Sequence, residues 1–133
     1  MDRHVSGTGN GLANIISGGS GNDSLNGGAG NDRIIGGAGN DAMNGGTGND
    51  VFAFIADFGN DTITGFDANP TGGQDLLDVR PFGISAADFA SRVSIVDLGA
   101  DTQVTIADGG IITLFGVNGT GANVVTVSDF LLN

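Results

Sequence analysis

The sequence predicts an all-β chain in which short strands wind into a parallel coil of eighteen residues per circuit, closed by a β-rich C-terminal cap with one short helix. Three observations predict it. The hexapeptide Gly-Gly-x-Gly-Asn-Asp is written four times at a nine-residue period, at residues 18–23, 27–32, 36–41 and 45–50. A large apolar residue stands two places after each aspartate, at Leu25, Ile34, Met43 and Phe52. All eight phenylalanines lie at or beyond residue 52, so an apolar mass begins where the repeats end. A period of this kind outranks every other signal in the chain.

In order, residues 1–8 read as a lead-in, residues 9–53 as the coil and residues 54–133 as the cap. His4 is the only histidine and reads as a solvated terminal residue. Residues 9–17 form a degraded first repeat, with Asn14 where aspartate belongs and Ile16 nine places before Leu25.

Within each full repeat, the six-residue half is a turn. Its three glycines accept positive φ without steric cost, and Asn and Asp are the next most tolerant residues. The three-residue half, such as Ser24, Leu25 and Asn26, sets its central side chain on one face and its neighbours on the other, as a very short strand does. Two nonapeptides complete a circuit, and equivalent turns stack at the ~4.8 Å spacing of a β-ladder. Calcium holds oxygens at roughly 2.4 Å, so ligands on opposite sides of it lie about 4.8 Å apart and match that spacing. Aspartate is the suitable carboxylate because its short arm reaches an ion held against its own turn.

The coil has little else to hold it. Residues 18–50 contain four large apolar side chains, Leu25, Ile34, Ile35 and Met43, in 33 residues, against the ordering entropy of a glycine-rich chain and the repulsion of stacked aspartates. The expectation is a segment disordered without Ca²⁺ and folded with it, with binding energy acting as folding energy.

This pattern resembles the repeats-in-toxin (RTX) family, whose nonapeptide consensus it matches in four consecutive copies. The resemblance implies a right-handed parallel β-roll and a calcium site between each turn and the one eighteen residues later. The first turn gives its Asp and the carbonyls of its second and fourth positions, the later one its Asp and the carbonyls of its first and third. That pairs Gly19, Gly21 and Asp23 with Gly36, Ala38 and Asp41, and Gly28, Gly30 and Asp32 with Gly45, Thr47 and Asp50. A further pair joins Asn10, Leu12 and Asn14 to Gly27, Ala29 and Asp32, with one neutral ligand. Another joins Gly37, Gly39 and Asp41 to a displaced turn at Asp61. Asp32 and Asp41 then bridge two ions, one oxygen each.

Beyond the coil, residues 59–63 look like the end of a sixth repeat, displaced by two residues and placed on the side of Asp23 and Asp41. Asp67, Asp75 and Asp78 are open to two roles, closing a last calcium site or capping the surface. Residues 85–92 read as a helix with Ser85 as N-cap and Asp88 as its capping-box partner. Residues 93–96, 102–106 and 111–115 alternate apolar with polar, and glycine-containing turns separate them, as in hairpins. The last residues, Asp129 followed by Phe130, Leu131 and Leu132, resemble the tail that RTX proteins present to type I secretion machinery; packing on the cap is the alternative role.

Charge and composition narrow the function. Fifteen Asp and four Arg give a net charge of −11, which disfavours nucleic acid or an anionic membrane as partner and favours a cation. There is no Cys, so zinc and iron–sulfur sites of the usual kind are excluded. No apolar run is long enough to span a membrane, and the N-terminus lacks an apolar signal segment. The chain is then cytoplasmic, exported by a route that does not read the N-terminus, or a module of a longer protein. A serine-type triad would need the lone His4 and the aspartates are spaced for metal, so the chain reads as non-enzymatic.

The resemblance implies a secreted bacterial module that folds on calcium outside the cell, alongside an upstream catalytic or adhesive domain. A second reading is polysaccharide binding, since repeats of bacterial alginate-modifying epimerases look similar. Arg3, Arg33, Arg80 and Arg92 are scattered in sequence, which argues against a basic stripe for a polyanion.

Overall fold

The computed structural model describes residues 4–69, 74–119 and 124–133. Among the described residues, twelve strands form two sheets. The coil strands are β1 (Ser6–Thr8), β2 (Ile15–Ser20), β3 (Ser24–Ala29), β4 (Arg33–Ala38), β5 (Ala42–Thr47), β6 (Val51–Ala53) and β7 (Gly59–Thr64). They go alternately to the two sheets, β1-β3-β5-β7 in one and β6-β4-β2 in the other, with parallel neighbours. The register is the sequence period: Leu25 faces Met43, and Ile34 faces Ile16 on one side and Phe52 on the other.

Alternation sends one large side chain per strand inward. Leu25, Ile34, Met43, Phe52 and Ile63 are all buried, because a strand's central residue points between the sheets while its neighbours face out. Ile16 packs half-buried against this row. Residues 6–8, expected in the lead-in, belong to the roll instead: β1 pairs with β3, and the His4 ring nitrogen Nδ1 lies 2.7 Å from the Asn22 carbonyl oxygen.

The cap extends both sheets. β8 (Leu76–Asp78) lies on β6, and β12 (Phe130–Leu131) on β8. The strands β9 (Val93–Asp97), β10 (Thr102–Ile106) and β11 (Gly110–Phe115) are two antiparallel hairpins, within a residue or so of their predicted bounds. β11 then pairs in parallel with β7, so the cap hairpin is also the next rung of the roll. The helix is shorter than expected. α1 covers Phe89–Arg92, and residues 86–88 form a turn held by the Ser85 N–H and hydroxyl donating to Asp88 Oδ1 at 2.7 and 2.9 Å.

Phenylalanines fill the junction. Phe54 packs on Phe58, Phe58 edge-on to Phe82, and Phe89 edge-on to Phe130, with centroids 4.8, 6.0 and 4.9 Å apart. No described helix is long and apolar enough to cross a membrane.

Candidate metal centre

The turns stack in two columns, and an aspartate lies buried at the same place in each turn. In the first column the Asp23 N–H donates to Asp41 Oδ1 (2.8 Å) and the Asp41 N–H to Asp61 Oδ1 (2.9 Å). In the second, Asp32 N–H donates to Asp50 Oδ1 and Asp50 N–H to Asp75 Oδ1, both at 2.8 Å. Each carboxylate is thus fixed by the turn below it, and the Asp61 turn joins its column despite the two-residue displacement.

The other oxygen has no such partner. The Oδ2 atoms of Asp23, Asp32, Asp41, Asp50 and Asp61 are buried and accept no hydrogen bond, the only such side-chain atoms among the described residues. A buried ionised oxygen without a donor is costly, so each is a candidate place for a positive charge. The surroundings fit. A Cβ added at Gly18 would meet Asp23 Oδ2 and, at 2.7 Å, the Gly36 carbonyl oxygen; one at Gly27 would meet Asp32 Oδ2 and the Gly45 carbonyl oxygen. Carboxylate and carbonyl oxygens therefore flank one point with no donor between them, the arrangement a hard, oxygen-seeking cation takes. Among the described residues no three carboxylate or imidazole groups converge, so backbone oxygens must complete any such site.

The other ligand carbonyls named from sequence sit at the turn contacts. Those of Gly19, Gly21, Gly28 and Gly30 lie where a Cβ on the next rung's Gly37, Gly39, Gly46 and Gly48 would strike them. Those of Ala38 and Thr47 accept the Gly21 and Gly30 N–H groups at 2.9 Å, which leaves each a second lone pair. The degraded turn differs. Asn14 Oδ1 stands beside the Gly27 carbonyl oxygen but accepts the Asn10 N–H at 2.8 Å, and the Asn10 carbonyl accepts the Ala29 N–H. A neutral amide there is already satisfied.

Electrostatics follow burial. Without metal, burial raises the carboxyls of Asp41 and Asp50 above their ordinary value; their N–H partners on Asp23 and Asp32 oppose this, and the neighbouring aspartate charges add to it. Burial pushes Asp61 up to about 7 and Asp75 to about 6. Asp75 nevertheless differs, since its Oδ2 accepts the Asp67 N–H at 2.9 Å.

Two features escaped the sequence reading. The fifth turn position is Asn in all four copies, and these side chains form ladders of their own: Asn40 N–H to Asn22 Oδ1, Asn60 N–H to Asn40 Oδ1, and Asn49 N–H to Asn31 Oδ1. The invariance was the available signal. The second is a clamp between roll and cap, where buried Asp78 accepts from Arg33 at 2.9 Å and from the Arg80 Nε and Nη2 at 2.9 and 2.8 Å. Two arginines that look scattered in sequence therefore meet on one carboxylate, and those bonds hold the Asp78 carboxyl well below its ordinary range.

Comparison with known proteins places the repeats. The RTX calcium-binding nonapeptide repeat matches in four copies, over residues 8–42, 17–52 and 54–69. The AlgE6R3 subunit of the Azotobacter vinelandii mannuronan C5-epimerase is similar in structure, with a TM-score of 0.70 and 27% identity over 96% of this chain and 78% of that one. The AlgE6R2 subunit of the same epimerase gives 0.62 and 29%, over 94% and 91%. The extracellular lipase LipA from Serratia marcescens shares the fold at 22% identity and a TM-score of 0.52, this chain spanning 21% of its length. Comparison with curated protein sequences finds no match.

Proposed function

The repeat segment of this chain belongs to the RTX calcium-binding nonapeptide repeats, and from that premise we propose a non-catalytic module that folds on calcium outside the cell and supports the secretion and stability of an exported bacterial protein. The five buried, unpartnered Oδ2 atoms in stacked turns carry the reading. When bound, the ion supplies those oxygens with a counter-charge and ties each turn to its neighbour. Asp23 and Asp41, with the carbonyls of Gly19, Gly21, Gly36 and Ala38, form one site; Asp32 and Asp50, with Gly28, Gly30, Gly45 and Thr47, form another. Asp41 and Asp61, with Gly37 and Gly39, make a third. The Asn14 turn is the weakest candidate, because its side chain is neutral and self-bonded.

Extracellular calcium modules bind at ~10⁻⁴ to 10⁻³ M, far above cytosolic calcium, so the chain would thread through a type I channel unfolded and lock outside. Phe130 and Leu131 lie in β12 once folded, which is compatible with a tail read before folding. Circular dichroism along a calcium titration tests the proposal: the expected result is a cooperative gain of β-structure, and full β-structure in excess chelator would overturn it.

A second reading, binding of a uronate polymer, draws on the likeness to two subunits of a mannuronan epimerase and on Arg33 and Arg80, both partly exposed beside Asp78. Titrating mannuronate oligomers into the calcium-loaded chain decides it. Saturable binding supports this reading, and its absence leaves the folding module alone.

A further inference from the structure

The column that carries Asp23, Asp41 and Asp61 does not stop at the last repeat. β11 lies on β7 with Gly110 opposite Gly59 and Ile112 opposite Asp61, so residues 107–110 stand over residues 56–59 much as residues 36–39 stand over 18–21. Two observations liken the hairpin turn to the roll's turns, while the fourth position, which has positive φ at Gly21, Gly39 and Gly59, has none at Gly110. A Cβ added at Gly110 would strike the Gly59 carbonyl oxygen, as one at Gly39 would strike that of Gly21 and one at Gly59 that of Gly39. The second turn position has positive φ at Gly19 (112°) and Gly37 (106°), and the two non-glycine residues with positive φ among the described residues, Asp57 (58°) and Asp108 (66°), hold that position in the next two turns. Aspartate is among the non-glycine residues that adopt this region most readily, so local turn chemistry and the stack agree at these two positions.

Asp61 Oδ2 points to a ligand at this junction, because it is buried and unpartnered although no repeat follows it. The other column ends differently: Asp75 Oδ1 accepts the Asp50 N–H and its Oδ2 the Asp67 N–H. We propose that Asp61 and the hairpin turn at residues 107–110 form a divalent-cation site of the calcium class that joins the last repeat to the cap. The turn equivalence names its donors: the Asp61 carboxylate with the carbonyls of Asp57 and Gly59 on one side, and the carbonyls of Ala107 and Gly109 on the other. Ile112 occupies the place of the second aspartate, so this site has one carboxylate where the repeat pairs have two, and it binds more weakly and fills last.

The inference rests on the calcium reading of the repeat turns, and one experiment separates the two. Crystals of the full chain grown with calcium are examined for anomalous scattering from the ion. Peaks between the repeat turns together with one bounded by Asp61 and residues 107–110, of lower occupancy when calcium is limiting, are the expected result. Peaks at the repeat turns with none at the hairpin overturn this site and leave the repeat reading standing. No peak at the repeat turns overturns both.

Discussion

The roll and the cap share two continuous sheets, yet different forces hold them. From β3 to β7, each roll strand buries one large apolar side chain beside an aspartate with a bare oxygen, as Leu25 does beside Asp23 and Ile34 beside Asp32. The cap buries Phe54, Phe58, Ile84, Val104, Ile112 and Leu114, and its buried carboxylates are answered, Asp78 by Arg33 and Arg80, Asp129 by Gln74 and the Thr126 N–H. On the proposed function the roll is thus conditional on a cation, whereas the cap, with its antiparallel hairpins, holds through its own contacts. With β11 in register on β7, the cap also offers a ready-made first rung on which the roll can grow.

Calcium removal should separate the halves most. In excess chelator the amides of Leu25, Ile34 and Met43 are expected to exchange at nearly the rate of an unfolded chain, while those of Val104 and Ile112 stay protected; equal loss in both would erase the distinction. Next come core truncations. Ile112→Ala should cost ~2–5 kcal/mol at saturating calcium, measured by denaturant midpoint, and calcium should not restore it. Asp41→Asn should instead shift the calcium midpoint upward about tenfold, equivalent to ~1.4 kcal/mol, and saturating calcium should largely recover the fold; Asp108→Asn, at an exposed side chain, is the control.

Acid should act in opposite directions on the two halves. In the metal-free chain Asp61 and Asp75 have raised folded-state values, about 7 and about 6 against an ordinary 3.8. The folded roll therefore holds protons that the unfolded chain has released, and its stability rises as pH falls from about 7 to about 4. Asp78 is lowered, chiefly by its bonds from Arg80, so the clamp's contribution is present above pH ~4 and is lost below it. Circular dichroism of the chelated chain should gain β-structure between pH 8 and 5; no gain would remove the cost of burying these carboxylates from the account. The smallest effect is expected from Asn40→Ala, which breaks one exposed ladder and should lower stability by ~0.5–1.5 kcal/mol at any calcium level.

Much of this was legible in the residues because the repeat is local. The period of nine sets the turns, the alternation around Leu25 and Ile34 sets the inward face, and the stacking partner lies eighteen residues on. The hairpin strands were legible for the same reason. Residues 6–8 escaped because they carry no large apolar residue, and the role of Asp75 stayed open between two alternatives because its contact with Asp50 spans a 25-residue interval instead of eighteen.

By itself, then, the sequence determined the coil, its inward row and the aspartates at its turns, since each depends on neighbours a few residues apart. Only the tertiary structure decided which oxygens are left bare, that Arg33 and Arg80 share Asp78, and that residues 107–110 continue a column begun at residue 18. Those facts depend on contacts between segments tens of residues apart, and no periodicity in the chain records how such segments come to lie on one another.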